Sequence, residues 1–286
     1  MPGRQQQITE HSLLPISTPL DAAALRRDLA IRAPALTIEC LDECPSTNTL
    51  LAERLAAHIE VPSGSVVACE HQTAGRGRRG RTWVSEGATS LTFSLLWRFG
   101  DATSRGPAGL AGLSGLSLAV AVAVAQALEQ MGFAGIALKW PNDLLHDGAK
   151  LGGILVEVNG PGTAIIGIGL NVQLPRGFAA TLQRAVTDLA AMTEGRFVLP
   201  DRNALLAVLL AGLSAAMARY DGEGFAPFRA AWQLRHAHQG LPVSLLRDDQ
   251  SIAAEGVAIG VAEDGALLLR TAAGIERIHS GEVSLR

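Results

Sequence analysis

Residues 71–83 read His-Gln-Thr-Ala-Gly-Arg-Gly-Arg-Arg-Gly-Arg-Thr-Trp, with Arg76, Arg78, Arg79 and Arg81 in six positions of a chain whose net charge is −3. Alternating glycines let the backbone come close to a ligand and take positive φ. Arginine adds a permanent fork of donors suited to carboxylates and phosphates. Taken alone, the segment fits a lid over a small anion, an RGG-like nucleic-acid segment or a solvated basic loop. It is not a P-loop, because GxxxxGK[ST] is absent.

Three further segments carry candidate chemistry. Residues 139–145, Lys-Trp-Pro-Asn-Asp-Leu-Leu, end a predicted strand. Pro141 fixes the turn, and Asn142 and Asp143 project polar groups where ligands gather in α/β sheets, although Asn-Asp is also ordinary turn chemistry. In residues 150–157, Lys150 precedes Gly152 and Gly153 on an apolar run. It suits an ammonium facing a bound carboxylate or phosphate, or a solvated guard of a sheet edge. Residues 167–172, Gly-Ile-Gly-Leu-Asn-Val, form a glycine-punctuated strand on which a flat ligand could lie, or a site of tight packing.

The elements that must position these segments follow from periodicity. Helices are predicted over 21–31, 47–58 (with Ser46, Thr47 or Asn48 as N-cap), 179–192, 202–220 and 225–235. Strands are predicted over 64–70, 90–99 (with Leu91, Phe93 and Leu95 on one face), 136–140, 150–158 and 163–172, with a turn at 159–162. The Gly/Arg stretch lacks hydrophobic periodicity and is a predicted loop. From Leu241 onward only short strands are predicted, over 243–247, 252–261, 266–271 and 276–278, with turns at Asp264-Gly265 and Ala273-Gly274. The change places a boundary near residue 237.

Composition narrows the function classes. Apolar residues make up 48% and charged residues 18%, a globular balance. The net charge gives no overall attraction to nucleic acid or anionic membranes. Residues 106–128 carry no charge and are long enough to cross a bilayer. They are rich in Gly, Ser and Ala, so a buried helix is expected. The N-terminus shows no secretory pattern, which places the protein in the cytoplasm. Cys40, Cys44 and Cys69 make no disulfide framework; Cys40 and Cys44 could supply half of a metal site, but no second pair completes it. Buried, reduced thiols are expected and no metal site is assigned.

In their order along the chain, Ser46-Thr47-Asn48, the loop from Gln72 to Trp83, KWPNDL at 139–144, KLGGILVE at 150–157 and GIGLNV at 167–172 resemble the biotin protein ligase family. The match runs from about residue 40 to 172. The tail, with GALLL at 265–269 and GEVSLR at 281–286, looks like that family's small C-terminal domain. The resemblance implies an α+β fold: a mixed β-sheet flanked by helices, of the class II tRNA-synthetase-like kind, followed by a small SH3-like β-barrel. The implied divisions are an N-terminal extension 1–37, a catalytic domain 38–237 and a barrel 238–286. It implies that Ser46, Thr47 and Gln72 bond the biotin ureido ring, with Asn48 close by. Gly75, Arg76, Gly77 and Arg78 would lie on the loop that orders over biotin and its adenylate. Lys150 would meet the biotin carboxylate and the phosphate, while Gly152, Gly153 and Gly169 let biotin lie against the sheet. Arg81, Trp83, Asn142 and Asn171 would serve the ATP side.

The implied reaction needs ATP, biotin and Mg2+. Arg78, Lys150 and magnesium would neutralise the charge as biotin's carboxylate attacks the α-phosphate. No nucleophilic side chain is required, so none of the seven histidines is given a role. Asp143 is open between orienting or deprotonating the acceptor lysine, a metal contact and a structural role. The implied partner is a biotin carboxyl carrier protein domain of acetyl-CoA carboxylase or another biotin-dependent carboxylase. The residues before Ser46 are fewer than the roughly 60 that a repressor's winged helix needs and show no basic recognition helix, so no nucleic-acid partner is expected. No membrane partner is expected either, and the chain would be a monomer or homodimer. A lipoate–protein ligase-like enzyme and a biotin-responsive binding protein without catalysis are the two rival readings.

Overall fold

The computed structural model describes residues 18–85, 87–100, 113–182, 184–247 and 251–285. Helix α1 (Ala22–Arg32) is capped by the Asp21 carboxylate, which accepts from the backbone N–H of Ala23 and Ala24. It leads into β1 (Thr37–Cys44), a strand that three acidic residues hid from the sequence pattern. Helix α2 (Thr47–Ala56) returns the chain to β2 (Ser65–Gln72), which pairs parallel to β1. After the Gly/Arg loop comes β3 (Ser90–Arg98). As expected, Leu91, Phe93 and Leu95 enter the main core, while Leu96 packs with Leu51, Val67 and Ile165 beneath α2.

The charge-free stretch is described from residue 113. It becomes α3 (Leu116–Gln130), an almost wholly buried helix; residues 106–112 lie outside the described residues. Short β4 (Ile136–Lys139) and β5 (Asp143–His146) form a hairpin, and β5 was not legible in the sequence. Strands β6 (Ala149–Val158) and β7 (Thr163–Asn171) complete a mixed sheet in the order β1-β2-β3-β7-β6-β5-β4. Side-chain parity then decides which residues can meet a ligand. Gly153, Leu155 and Glu157 pair with Gly169, Gly167 and Ile165 and share the α2 face. Gly152 pairs with the core residue Leu170 and so turns toward the opposite face.

The helix expected over 179–192 is instead two short ones, α4 (Phe178–Thr181) and α5 (Leu189–Thr193), separated by extended chain. The break has a local cause. Asp188 caps α5 through Ala191 N–H, and the preceding β-branched Val186 and Thr187 run beside β6. Helices α6 (Arg202–Glu223) and α7 (Ala226–Leu234) pack on α3. Among the described residues α6 alone is long and apolar enough to cross a membrane; it packs against α1 and α3. Its first residue, Arg202, is fully buried and bonds Glu70 Oε2 at 2.6 Å, while Glu70 Oε1 holds Leu20 N–H.

Strands β8 (Pro242–Leu246), β9 (Ile252–Val261), β10 (Leu267–Thr271), β11 (Gly274–Ile278) and β12 (Glu282–Leu285) make a second, antiparallel sheet. Its order is β11-β10-β9-β8-β12, bent by irregularities at Leu245/Leu246 and Leu268/Leu269. No pairing joins β11 to β12 among the described residues, so the sheet is not closed. Val243, Val261, Leu267 and Leu269 belong to the same core cluster as α3 and α6. At the junction, residues 235–237 lie along β4 through Leu138 N–H to Arg235 O and Ala237 N–H to Leu138 O.

His238 follows this junction, 5% exposed, and among the described residues its Nδ1 has no partner. Burial, with the charges of Lys139 and His236 adding to it, holds the His238 pKa down to about 4. The unfolded chain takes up its proton near pH 6.5, whereas the folded chain does so only near 4. Stability is therefore fully present above 6.5 and falls as pH drops toward 4. Denaturant unfolding at pH 7 and pH 4 should show His238→Gln losing about 3 kcal/mol less than wild type; equal losses would refute the assignment.

Candidate functional site

The loop after β2 is folded back on itself. Arg76 and Thr82 bridge, Gly77 N–H donates to Arg81 O at 2.7 Å and Trp83 N–H to Gly75 O at 2.9 Å. A side chain at Gly75 would place Cβ 2.3 Å from Trp83 O, so only glycine permits this closure. The Trp83 ring lies across Gly169, where a Cβ would come within 2.3 Å of ring carbon. Gly169, the glycine expected to let biotin lie against the sheet, lines the cleft, and in this structure the space above it is taken by the Trp83 ring.

A hydrogen-bond chain runs beneath the loop. Gln72 Oε1 accepts from Thr47 N–H at 2.8 Å. The hydroxyls of Thr47 and Ser94 are 2.6 Å apart, and Ser94 donates to Asn48 Oδ1 at 2.6 Å. Ser94 has one proton, so Thr47 is the donor to Ser94. Asn48 Nδ2 donates to Glu157 Oε2 at 2.7 Å, and Glu157 Oε1 receives Arg76 Nη2 at 2.8 Å. Asn48 is thereby committed to the protein. Ser46 makes no side-chain capping bond to α2, and among the described residues Gln72 Nε2 has no acceptor. Both line the cleft and can meet a ligand.

At the other end, Lys150 Nζ bonds Asp143 Oδ1 at 2.6 Å. Asp143 stands opposite Gly153 and Lys150 opposite Leu145, across the β5–β6 irregularity at Leu144/Leu145, and the ammonium lies over Gly153, where a Cβ would be 3.1 Å from Nζ. Burial pushes the Lys150 pKa below its usual range, opposed by Asp143 and reinforced by the charges of Arg184 and Lys139. The ammonium also stands 5.8 Å from the Trp83 ring centroid. Asn142 is pinned, its amide donating to Ile154 O at 2.7 Å. Asn171 is buried and donates to Lys150 O and Thr187 O.

One cleft of about 890 Å3, its open mouth included, gathers most of the expected residues. Ser46, Thr47, Asn48, Gln72, Arg76, Gly77, Arg78, Arg81, Trp83, Asn142, Asp143, Lys150, Gly153 and Gly169 line it. Gly75, Gly152 and Asn171 do not: the first closes the loop, the second faces away and the third braces backbone. The sequence reading missed Ser94 and Glu157 as links of the network, and Gly167, where a Cβ would lie 2.3 Å from Asn48 Oδ1. Gly167 and Glu157 stand inside quoted motifs, and strand parity could have placed them. Arg184, also on the cleft wall, has no motif around it. Among the described residues no cluster of three or more His, Cys, Asp or Glu could hold a metal, and all three cysteines are free thiols.

A model described as the biotin/lipoate A/B protein ligase family matches residues 41–172. A model of the biotin protein ligase C terminal domain matches residues 238–286. The chain is 35% identical over 255 residues to the bifunctional ligase/repressor BirA of Escherichia coli (strain K12), covering 87% of this chain and 74% of that protein. It is 32% identical over 244 residues to the biotin--[acetyl-CoA-carboxylase] ligase of Paracoccus denitrificans, covering 83% of this chain and 97% of that one. The biotin protein ligase from Aquifex aeolicus in complex with biotin and ATP matches in structure with a TM-score of 0.72 at 30% identity, over 87% of this chain and 98% of that chain. The chain therefore belongs to the biotin/lipoate A/B protein ligase family, and within it to the biotin protein ligases.

Proposed function

We propose that the protein joins biotin to ATP as biotinyl-5'-adenylate and passes the biotinyl group to a lysine of a biotin carboxyl carrier protein domain. The observation that carries this reading is the meeting, in one cleft, of the Ser46–Thr47–Gln72 polar wall, the arginine loop and Lys150. Ser46 and the Gln72 amide suit the biotin ureido group, with Arg76 and Gly77 on the loop above it. A lipoate ring offers that wall no matching polar groups and would leave buried donors unpaired, which disfavours the lipoate alternative.

In the first step a biotin carboxylate oxygen forms a bond to the α-phosphorus, and the bond to the β-phosphate oxygen breaks with both electrons going to pyrophosphate. Lys150, shielded from water and steadied by Asp143, faces the negative charge of both partners. Arg78 and Arg81 supply charge from the loop, which also keeps water from the mixed anhydride. In the second step the neutral acceptor amine attacks the acyl carbon, an amide forms and AMP leaves. Because Asp143 already binds Lys150, its role in this reading is to hold that ammonium. Asn142 and Trp83 shape the nucleotide side of the cleft, and Asn171 acts there only through Lys150 backbone. Among the described residues Asp143 is the one carboxylate lining the cleft, which fits magnesium carried on the nucleotide phosphates rather than a protein cage. Such an ion would offset phosphate charge.

The same proposal divides the chain into an extension 1–37, a catalytic domain 38–237 and a C-terminal unit 238–286 of SH3-like barrel type. The onset of β8 at Pro242 and its bent antiparallel sheet support that division. Free thiols and an ATP-dependent reaction support a cytoplasmic setting. The carrier domain would belong to acetyl-CoA carboxylase or a related carboxylase.

Biotin-dependent exchange of labelled pyrophosphate into ATP tests the reading, with lipoate run beside it. Exchange with neither would leave a binder without catalysis, and exchange with lipoate alone would replace biotin as substrate. Gly167→Ala should displace Asn48 and raise the Kd for biotin about tenfold or more by titration calorimetry, through loss of one or two polar contacts. Unchanged affinity would remove the network from biotin recognition.

Arg78 and Lys150 should separate in single-turnover experiments. Arg78→Gly loosens retention of the adenylate, so unrelated proteins become labelled. Lys150→Ala slows adenylate synthesis by about 100-fold or more, equivalent to about 3 kcal/mol of transition-state stabilisation. Equal loss of synthesis in both variants, without leakage from Arg78→Gly, would overturn this division of labour.

A further inference from the structure

Residues 184–187 belong to none of the motifs, yet the fold straps them to the backbone of Lys150. Lys150 N–H donates to Ala185 O at 3.0 Å, and Thr187 N–H donates to Lys150 O at 3.0 Å. Asn171 Nδ2, reaching from β7, donates to Thr187 O at 2.9 Å and to Lys150 O at 3.3 Å. Beyond the strap, one oxygen of Asp188 caps α5 and the other accepts Leu174 N–H at 2.8 Å. The backbone on either side of Val186 is therefore fixed relative to β6. Such an arrangement sets residue 184 on the cleft wall at a determined distance from Lys150.

The charges around this point do not balance. Lys150 is matched by Asp143 and Arg76 by Glu157. Arg184 and Lys139 also line the cleft, and among the described residues neither has a carboxylate within ion-pair distance. Their charges act on Lys150 unfavourably. Three cations around one carboxylate leave a local excess of positive charge that a multiply charged anion would relieve.

We propose that Arg184 is a phosphate-binding residue, which receives the β- and γ-phosphates of ATP and the pyrophosphate formed from them, on a wall separate from the arginine loop. It rests on the reading of the cleft as the place of adenylate formation. The depth of the groups assigns their partners. Lys150 is 15% exposed in its side chain and meets the reacting carboxylate and α-phosphate. Arg184 is exposed at the rim, where the departing group must pass, and its fork matches two phosphate oxygens at once. Solvent screening keeps such a contact weak enough for release.

The test uses the full chain, with Arg184→Gln and Arg184→Lys, in biotin-dependent pyrophosphate exchange and in forward adenylate synthesis. Arg184→Gln should raise the KM for ATP and for pyrophosphate about tenfold, the worth of one charged contact. The KM for biotin and the thermal unfolding midpoint should stay at wild-type values, and ATP's KM should depend less on salt. Arg184→Lys should recover part of the loss, because the charge returns without the fork. Wild-type constants for ATP and pyrophosphate in Arg184→Gln would overturn the assignment. So would a rise confined to the acceptor's KM, which would make the rim a docking point for an acidic protein face. A general loss with a lowered unfolding midpoint would make Arg184 structural and equally refute it. A wild type without biotin-dependent exchange would bring down the ligase reading as well, whereas exchange insensitive to residue 184 would bring down this inference alone.

Discussion

The cleft is organised by the cost of crowding like charges out of water. Seven of its lining residues are Arg or Lys and only Asp143 is acidic. Each buried cation is a desolvation penalty that a partner must offset. Asp143 does this for the mostly buried Lys150 at 2.6 Å, while the exposed Arg76 is held by Glu157 at 2.8 Å. Of these two carboxylates, Glu157 joins the hydrogen-bond network through Asn48 and Asp143 lines the cleft beside Lys150. Among the described residues, Lys139 and Arg184 line the cleft without a carboxylate at ion-pair distance. That arrangement favours an anionic ligand over water without any single strong contact, and it makes anion binding sensitive to ionic strength.

Space imposes the second constraint. Strands β6 and β7 pair at the floor, and their glycines are used differently. Gly153 gives passage to the Lys150 ammonium, Gly167 admits the Asn48 amide, and Gly169 admits the Trp83 ring. None of these needs a positive φ; at Gly167 and Gly169 a methyl group would collide with the neighbouring side chain, and at Gly153 it would crowd the Lys150 ammonium. The floor of the cleft is thus shaped by side chains packed into glycine gaps, and those side chains position the groups that a ligand meets.

Much of this was legible in the sequence, for identifiable reasons. Apolar alternation gave β3, β6 and β7 nearly to the residue, and the motif order gathered most of the cleft. Periodicity failed where tertiary pairing, not local pattern, makes the element. Strand β1 carries acids at Glu39, Asp42 and Glu43, and β5 is four residues long. The expected helix over 179–192 was broken because Lys150 and Asn171 offer its middle residues extended-chain partners far away in sequence. The bonds of Asn171 were illegible for the same reason: nothing local shows that its amide donates to the backbone of Lys150 and Thr187. Parity along β6 would have distinguished Gly152 from Gly153, once the partner strand's register was known.

The C-terminal sheet takes part in this economy of contacts rather than standing beside it. Gly265 packs so closely on Gly115 that an added Cβ would lie 2.6 Å from the Gly115 Cα, and Trp140 Nε1 donates to Gly265 O at 3.1 Å. Trp140 is also a wall of the cleft, so the turn at Asp264-Gly265 buttresses the Trp-Pro-Asn-Asp segment from behind. The loop reaches the same sheet: Arg79 Nη1 approaches Leu246 O at 3.5 Å, and Arg78 lines a second cleft with Asp264 and His279. The arginine loop is therefore moored at Glu157 on one sheet and at Leu246 on the other. Exposed moorings of this kind are worth about 0–1 kcal/mol each, less than a charged contact to phosphate. Contacts that weak hold the loop less firmly than a charged contact to a bound anion would.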